Sequence, residues 1–230
     1  MATGIQNIFA QVPKTYEFIN HILTFGFDII WRKKAVRQAV DAGGNLWIDV
    51  CSGTGETAMY LARFAQNGTK VFASDFSLPM LKEAKSKKEG RKIRCNIADV
   101  KVLPFPDNTF DLVTISFATR NINTSHEALL KSFSEFHRIL KPGGRFINLE
   151  TSQPGNRLFR AVFHWYIKTF VKPIGWRISG SKAAYIYLSQ TIPKWYPADE
   201  LKKILEETGY SSVSYKRLLF GTAAIHQSIK

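Results

Sequence analysis

Chemistry concentrates in the octapeptide Asp49-Val50-Cys51-Ser52-Gly53-Thr54-Gly55-Glu56, which follows the apolar run Leu46 to Val50, precedes a helix-like pattern and is answered by an acid at Asp75. Gly53 and Gly55 permit a tight strand-to-helix turn and close approach of a ligand to the backbone. An acid about 20 residues beyond such a turn can accept hydrogen bonds from ribose hydroxyls. Together these residues describe a nucleotide-cofactor site. Read loosely, Gly53-Thr54-Gly55-Glu56-Thr57-Ala58 also satisfies a dinucleotide pattern with alanine last, so the glycines alone leave the nucleotide open.

For these residues to meet, strands must deliver them to one edge of a sheet. Apolar periodicity predicts a helical segment over about 15 to 40, a strand at 46–50, a helix at 56–66, a strand at 70–75 and a helix from Ser77, as N-cap, to about Lys88. A third strand is expected near 92–96 and a fourth from Phe110 to Ser116. Thr124 and Glu127 form a capping box for a helix running to Leu140, which Pro142 and the Gly143-Gly144 turn terminate. Arg145 to Leu149 reads as strand five. Pro197, with Asp199 and Glu200 in the first turn and Gly209 at the far end, brackets another helix. Two strands, about 211–219 and 222–229, complete seven. This alternation predicts an α/β fold, a doubly wound and mostly parallel sheet with helices on both faces and its ligand crevice at the strands' carboxyl ends. One domain over 1–230 is expected, divided into a helical lid (1–44), a cofactor-binding core (45–152), a helical insertion (153–196) and a closing helix with strands (197–230).

The spacing Asp49-x-x-x-Gly53-x-Gly55 is similar to motif I of class I S-adenosylmethionine (SAM) methyltransferases, Rossmann-like proteins in which the loop approaches a sulfonium and no pyrophosphate needs cradling. On that resemblance Asp75, closing strand two, takes the ribose hydroxyls. Asp99, after strand three, accepts the adenine amino group while Val100 packs on the ring, and Ser116 ends strand four beside the sulfonium. The resemblance then widens. Tyr16-Glu17-Phe18-Ile19-Asn20, Thr24-Phe25-Gly26-Phe27-Asp28 and Trp31 resemble the N-terminal signature of the UbiE/MenG family of quinone C-methyltransferases. Leu103 to Asp111, Arg120-Asn121, Arg138 to Gly144 and Glu150-Thr151-Ser152 resemble its later signatures, so the likeness runs through nearly the whole chain. It implies methyl transfer from SAM, leaving S-adenosylhomocysteine, to a ring carbon of a prenylated benzoquinol or demethylmenaquinol, with Thr54 a further SAM contact. The family usually has Asp, Met, Ser and His where this chain has Glu17, Ile19, Thr24 and Asp28, and an Asn-Ala pair where Asp99-Val100 stand. Those departures gather where substrate or adenine would lie.

Such a reaction needs the carbon, methyl and sulfur aligned, an effect that supplies roughly 7 to 11 kcal/mol. It also needs an electron-rich phenolate. Arg120, following strand four at the methyl-transfer end, is assigned to phenolate stabilisation or water-mediated deprotonation, Asn121 to orientation, and Tyr16, from the lid, to substrate binding. His21 and His164 are the alternative bases.

Composition bounds the rest. The chain has 230 residues and a net charge of +14, which favours an anionic surface as partner or a strongly charged exterior. Cys51 and Cys95 have no metal-ligand spacing and suggest no disulfide framework, so no metal is expected and a reducing cytoplasm is. Neither a signal peptide nor an apolar run of about 18 residues is seen. In the insertion, Leu158, Phe159, Val162, Phe163, Tyr166, Ile167, Phe170 and Val171 recur at helical spacing among Arg157, Arg160, Lys168 and Lys172. Such a helix can cover a prenyl pocket, dock peripherally on an anionic membrane or pack against the core. A lipid-like small-molecule substrate is therefore expected. No nucleic acid is, since strand four leads into Phe117-Ala118-Thr119-Arg120 and not an amino-methylation motif, and no Pro-Cys nucleophile is present. Methylation of another phenol, lipid or sterol, or SAM binding without turnover, stays open, as does the oligomeric state, a homodimer included.

Overall fold

The computed structural model describes residues 13–41, 43–179 and 181–230, and side chains from residue 17 onward except that of residue 179. The N-terminal helical segment is two helices, α1 (Pro13–Leu23) and α2 (Phe27–Val40). They are separated because Phe25 (φ 53°) and Gly26 (φ 75°) turn left-handed, and the Gly26 amide donates to the His21 carbonyl at 2.7 Å, closing α1.

The core then alternates β1 (Leu46–Val50), α3 (Glu56–Phe64), β2 (Lys70–Asp75), α4 (Leu78–Ser86), β3 (Arg94–Ile97), β4 (Phe110–Ser116), a short α5 (Thr119–Ile122), α6 (His126–Ile139) and β5 (Leu140–Thr151). Three helices, α7 (Arg157–Tyr166), α8 (Lys172–Ser179) and α9 (Lys182–Thr191), form the insertion, with a π-helical stretch Ile167–Val171 between the first two. Helix α10 (Ala198–Glu207) and the strands β6 (Ser211–Leu218) and β7 (Ala223–Ile229) end the chain. The sheet order is β3-β2-β1-β4-β5-β7-β6, with β7 antiparallel to both neighbours and the rest parallel.

Strand side chains alternate between faces, and each face acquires its own core. Ile48, Val50, Val113, Ile115 and Phe146 pack with Phe133 and Phe136 of α6 and Leu201 and Leu205 of α10. Trp47, Leu112, Ile147 and Leu149 pack on Ala35 and Val36 of α2 and Ala58 and Leu61 of α3. A third cluster joins Ile19 and Leu23 of α1 to Ile167, Val171, Tyr185 and Leu188 of the insertion, so lid and insertion are held together by their own apolar contacts.

Two boundaries differ from the sequence reading for identifiable reasons. The cap of α6 is Ser125, one residue later than Thr124: its extended backbone lets its hydroxyl accept from the Ala128 amide at 3.1 Å. Strand β5 begins at Leu140, not Arg145, because Pro142 to Gly144 form an irregularity inside the strand and not its boundary. Leu140 pairs with Phe110, and the Gly143 amide donates to the Lys230 carbonyl at 2.9 Å.

Candidate active site

The loop after β1 is a left-handed turn, with Cys51 at φ 51°, Gly53 at 56° and Gly55, the residue before α3, at 81°. A side chain at Gly55 would strike the Ala84 Cβ at 2.9 Å, so glycine there serves both the turn and the packing of α3 on α4. Asp49 braces the loop from below. It is 2% exposed, and its carboxylate accepts from the Ser52 and Thr114 hydroxyls, each at 2.7 Å. Burial pushes its pKa up to about 6, against the pull of those hydroxyls. Asp75 ties the turn to the end of β2 by accepting from the Gly53 and Ser77 amides, each at 2.8 Å. Burial raises its carboxyl above the ordinary range, opposed by those amides.

At the strands' carboxyl ends a cleft opens, lined by Gly53, Thr54, Asp75, Asp99, Val100 and Ser116, as the sequence predicts. Asp49 and Gly55 do not line it. Their contacts shape the loop that borders it. Asn121 lines this same cleft.

A second cavity lies between the lid and the insertion. Leu23, Phe27 and Trp31 meet Phe163, Ile167, Val171, Leu188 and Ile192 there, with Arg120, Asp28 and Thr151 as polar points in a mostly apolar wall. Arg32 and Phe117 line both cavities, so the two adjoin at this pair. Arg120 and Asn121, neighbours in sequence, thus face different cavities.

Arg120 is 6% exposed and held from three sides. Its backbone amide donates to Glu150 Oε2 at 3.1 Å, its Nη1 donates to the Thr191 hydroxyl at 2.6 Å, and its guanidinium carbon lies 5.7 Å from the Tyr187 ring centre. The insertion therefore positions the charge that the core supplies. Tyr16 falls in α1, and its side chain lies outside the described residues. His164 is not in the cavity wall. Its Nε2 donates to Gln153 Oε1 at 2.8 Å, and burial, then Lys168 and Arg160, push its pKa down.

A network that the sequence reading missed runs along α2. His21 Nδ1 lies 2.8 Å from Asp28 Oδ2, the Thr24 hydroxyl donates to Asp28 Oδ1 at 2.7 Å, and His21 Nε2 lies 3.5 Å from Glu56 Oε1. Arg32 reaches Glu56 Oε2 at 3.4 Å and the Thr57 hydroxyl at 3.2 Å, and its guanidinium sits 4.9 Å from the Phe117 ring centre. Burial raises the Glu56 carboxyl, while Arg32 and His21 pull it down. The signal was present: Asp28 and Arg32 are four apart and share the buried face of α2 with Trp31 and Ala35. Two charges on a buried face require partners.

Comparison with known proteins bears on these cavities. The model of the ubiE/COQ5 methyltransferase family matches residues 2–230. A demethylmenaquinone methyltransferase of Thermus thermophilus is 37% identical over 221 residues, 95% of this chain and 98% of that protein. The ubiquinone/menaquinone biosynthesis C-methyltransferase UbiE of Desulfotalea psychrophila is 33% identical over 227 residues, 99% of this chain and 90% of its own. Among solved structures, a SAM-dependent methyltransferase of Thermotoga maritima superposes with a TM-score of 0.68 at 15% identity, covering 98% of this chain and 99% of its own. At that identity the likeness is one of fold.

Proposed function

The chain belongs to the ubiE/COQ5 methyltransferase family, and from that premise we propose that it uses SAM to methylate a ring carbon of a prenylated quinol of the demethylmenaquinol or benzoquinol type. The observation that carries this reading is the meeting of two unlike cavities at Arg32 and Phe117. One has the more polar lining and lies at the strands' carboxyl ends. The other is apolar and holds a buried arginine.

The first cavity fits SAM by its donor set. Glu56, Asp75 and Asp99 present carboxylates to a ligand that is a nucleoside with ribose hydroxyls and a cationic sulfur, and Val100 offers an apolar contact for its base. SAM supplies an activated methyl group when bound. Asp75 and Asp99 hold the nucleoside, and Arg32 and Phe117 border the passage between the cavities.

In the second cavity, apolar walls exclude water and accept a prenyl chain, while Arg120 addresses the ring. Ionising a hydroxyl that titrates near a tyrosine's costs about 4 kcal/mol at neutral pH. One aimed donor contributes about 2.7 to 4 kcal/mol. Arg120 alone therefore offsets most of that penalty, provided Thr191 and Tyr187 keep it in place.

The outer face of α7 suits delivery of such an acceptor from a bilayer. No residue of this helix is buried. Leu158 (71% exposed) and Trp165 (59%) project beside Arg157, Arg160 and Lys168, and Phe159 stacks at 4.6 Å on Phe220 (69%). Leu219 and Phe220 hold left-handed backbone at φ 38° and 55°, a turn that presents Phe220 while Leu219 lines the apolar cavity. An apolar patch edged with cations matches an anionic membrane surface. No helix among the described residues is long and apolar enough to cross one.

The test is turnover of a reduced prenylated quinol by the wild type and by Arg120→Leu. The variant is expected to bind S-adenosylhomocysteine normally and to lose about a hundredfold or more in kcat. Higher pH should restore part of the loss by ionising the quinol in solution. No turnover by the wild type defeats the acceptor assignment, and normal turnover by Arg120→Leu defeats the role of Arg120.

A further inference from the structure

The adenosyl end of the cleft is accounted for by Asp75, Asp99 and Val100. Its opposite end, at the border of the apolar cavity, is formed by Thr54, Glu56, Arg32 and Phe117. Within that end stand a buried cation, Arg32, and a half-buried anion, Glu56, 3.4 Å apart. Arg32 is 6% exposed and comes from the lid helix α2, whereas Glu56 is the first residue of α3. The first turn of α3 adds backbone amides that have no partner within the helix, and the positive end of its dipole favours a carboxylate. The cleft's other cation, Lys101, adjoins Asp99 and Val100 at the adenosyl end.

A zwitterionic α-amino acid is the chemical complement of this pair. We propose that Arg32 and Glu56 form the subsite for the amino-acid end of SAM, Arg32 binding the carboxylate and Glu56 the ammonium. This assignment rests on the SAM reading above. An amino acid entering the site exchanges one ion pair for two, so neither charge is left uncompensated. Held there, the cofactor is fixed at both ends of the sulfonium. The cation–π contact of Arg32 on Phe117 couples that anchor to the wall of the acceptor cavity. Because Arg32 belongs to α2, binding of the amino acid also tethers the lid to the core, and Glu56 connects through His21 and Asp28 to the turn between α1 and α2.

Two ligands separate this inference from the broader reading: S-adenosylhomocysteine, which carries the amino acid, and 5′-methylthioadenosine, which has the same nucleoside thioether without it. Calorimetry on the full chain should give Arg32→Gln a loss of about 10- to 100-fold for S-adenosylhomocysteine. Methylthioadenosine affinity should stay within about threefold of wild type, well under one ion-assisted bond. Glu56→Gln should show the same selectivity. Arg32→Lys, which keeps the charge but not the planar fork, should lose less, again only for the ligand with the amino acid. Equal weakening of both ligands in folded Arg32→Lys and Glu56→Gln, or undiminished binding of S-adenosylhomocysteine, overturns the assignment. A wild type that binds neither ligand removes the SAM reading itself and this subsite with it, a different result from loss of selectivity in the variants.

Discussion

Replacing Asp49 by asparagine should stabilise the protein at alkaline pH and not at acid pH. The folded carboxyl titrates near 6 because burial outweighs its two hydroxyl donors. In the unfolded chain an aspartate titrates near about 3.9. The folded value is the higher one, so the group's favourable contribution is complete below about pH 4 and disappears as pH rises through about 6. Above that range the wild type buries a charge at a cost of about 3 kcal/mol, from about 2 pKa units at about 1.4 kcal/mol each. The asparagine side chain carries no charge and keeps the shape. It forfeits the charge assistance in two hydrogen bonds, worth about 1 kcal/mol. Integration between about pH 4.5 and pH 8 gives a shift of about 2 kcal/mol in the stability of Asp49→Asn relative to wild type, rising toward alkali. Urea unfolding of both proteins at the two pH values measures it. An equal difference at both pH values would mean that the Asp49 carboxyl titrates alike in the folded and unfolded chain. Since Asp49 does not line the cleft, the variant should also bind S-adenosylhomocysteine within a few-fold of wild type, and a large loss would return Asp49 to the cofactor contacts.

Two further outcomes follow from the cavity and the outer face of α7. Leu188→Trp should narrow the apolar cavity and raise KM about tenfold or more for a long-tailed quinol, with less effect on a tail-less one and none on S-adenosylhomocysteine binding. Equal effects on both acceptors in steady-state kinetics would remove the tail from this cavity. The protein should sediment with vesicles containing anionic lipid and be released by salt, each cation near the surface contributing about 1 kcal/mol. Trp165→Asp combined with Phe220→Asp should abolish this sedimentation while leaving turnover of a soluble, short-tailed acceptor intact, and undiminished sedimentation would place the contact elsewhere.

Strands β1 and β4 were legible because they are almost wholly buried and mostly apolar, whereas β3, half-buried and polar, was placed only approximately. The expectation for β1 and β4 coincides with the structure, and so does the delivery of Asp75, Asp99, Val100 and Ser116 to one edge. Local signals misled where a distant strand overrode them. Pro142-Gly143-Gly144 carries every mark of a stop, yet β5 runs through it because Lys230, distant in sequence, pairs with Gly143 and Gly144. The acceptor cavity was legible only in part. The apolar spacing of α7 announces a covering helix, but the restraint on Arg120 comes from Thr191 and Tyr187, about seventy residues away, and no local pattern encodes that contact. His164, singled out as an alternative base, is engaged by Gln153 outside the cavity. Asp28 and Arg32 show the converse, a legible signal left unread: two charges on the buried face of a helix are a statement about partners.

Methyl transfer should end on a ring carbon of an apolar-tailed quinol. The direct measurement uses SAM labelled with deuterium in its methyl group, a chemically reduced demethylmenaquinol and the full chain, with the product examined by NMR and fragment mass spectrometry. One labelled methyl per turnover is expected on the ring carbon beside a hydroxyl, and none when the acceptor is supplied as the oxidised quinone. Label on the hydroxyl oxygen, or equal labelling of quinone and quinol, would contradict it.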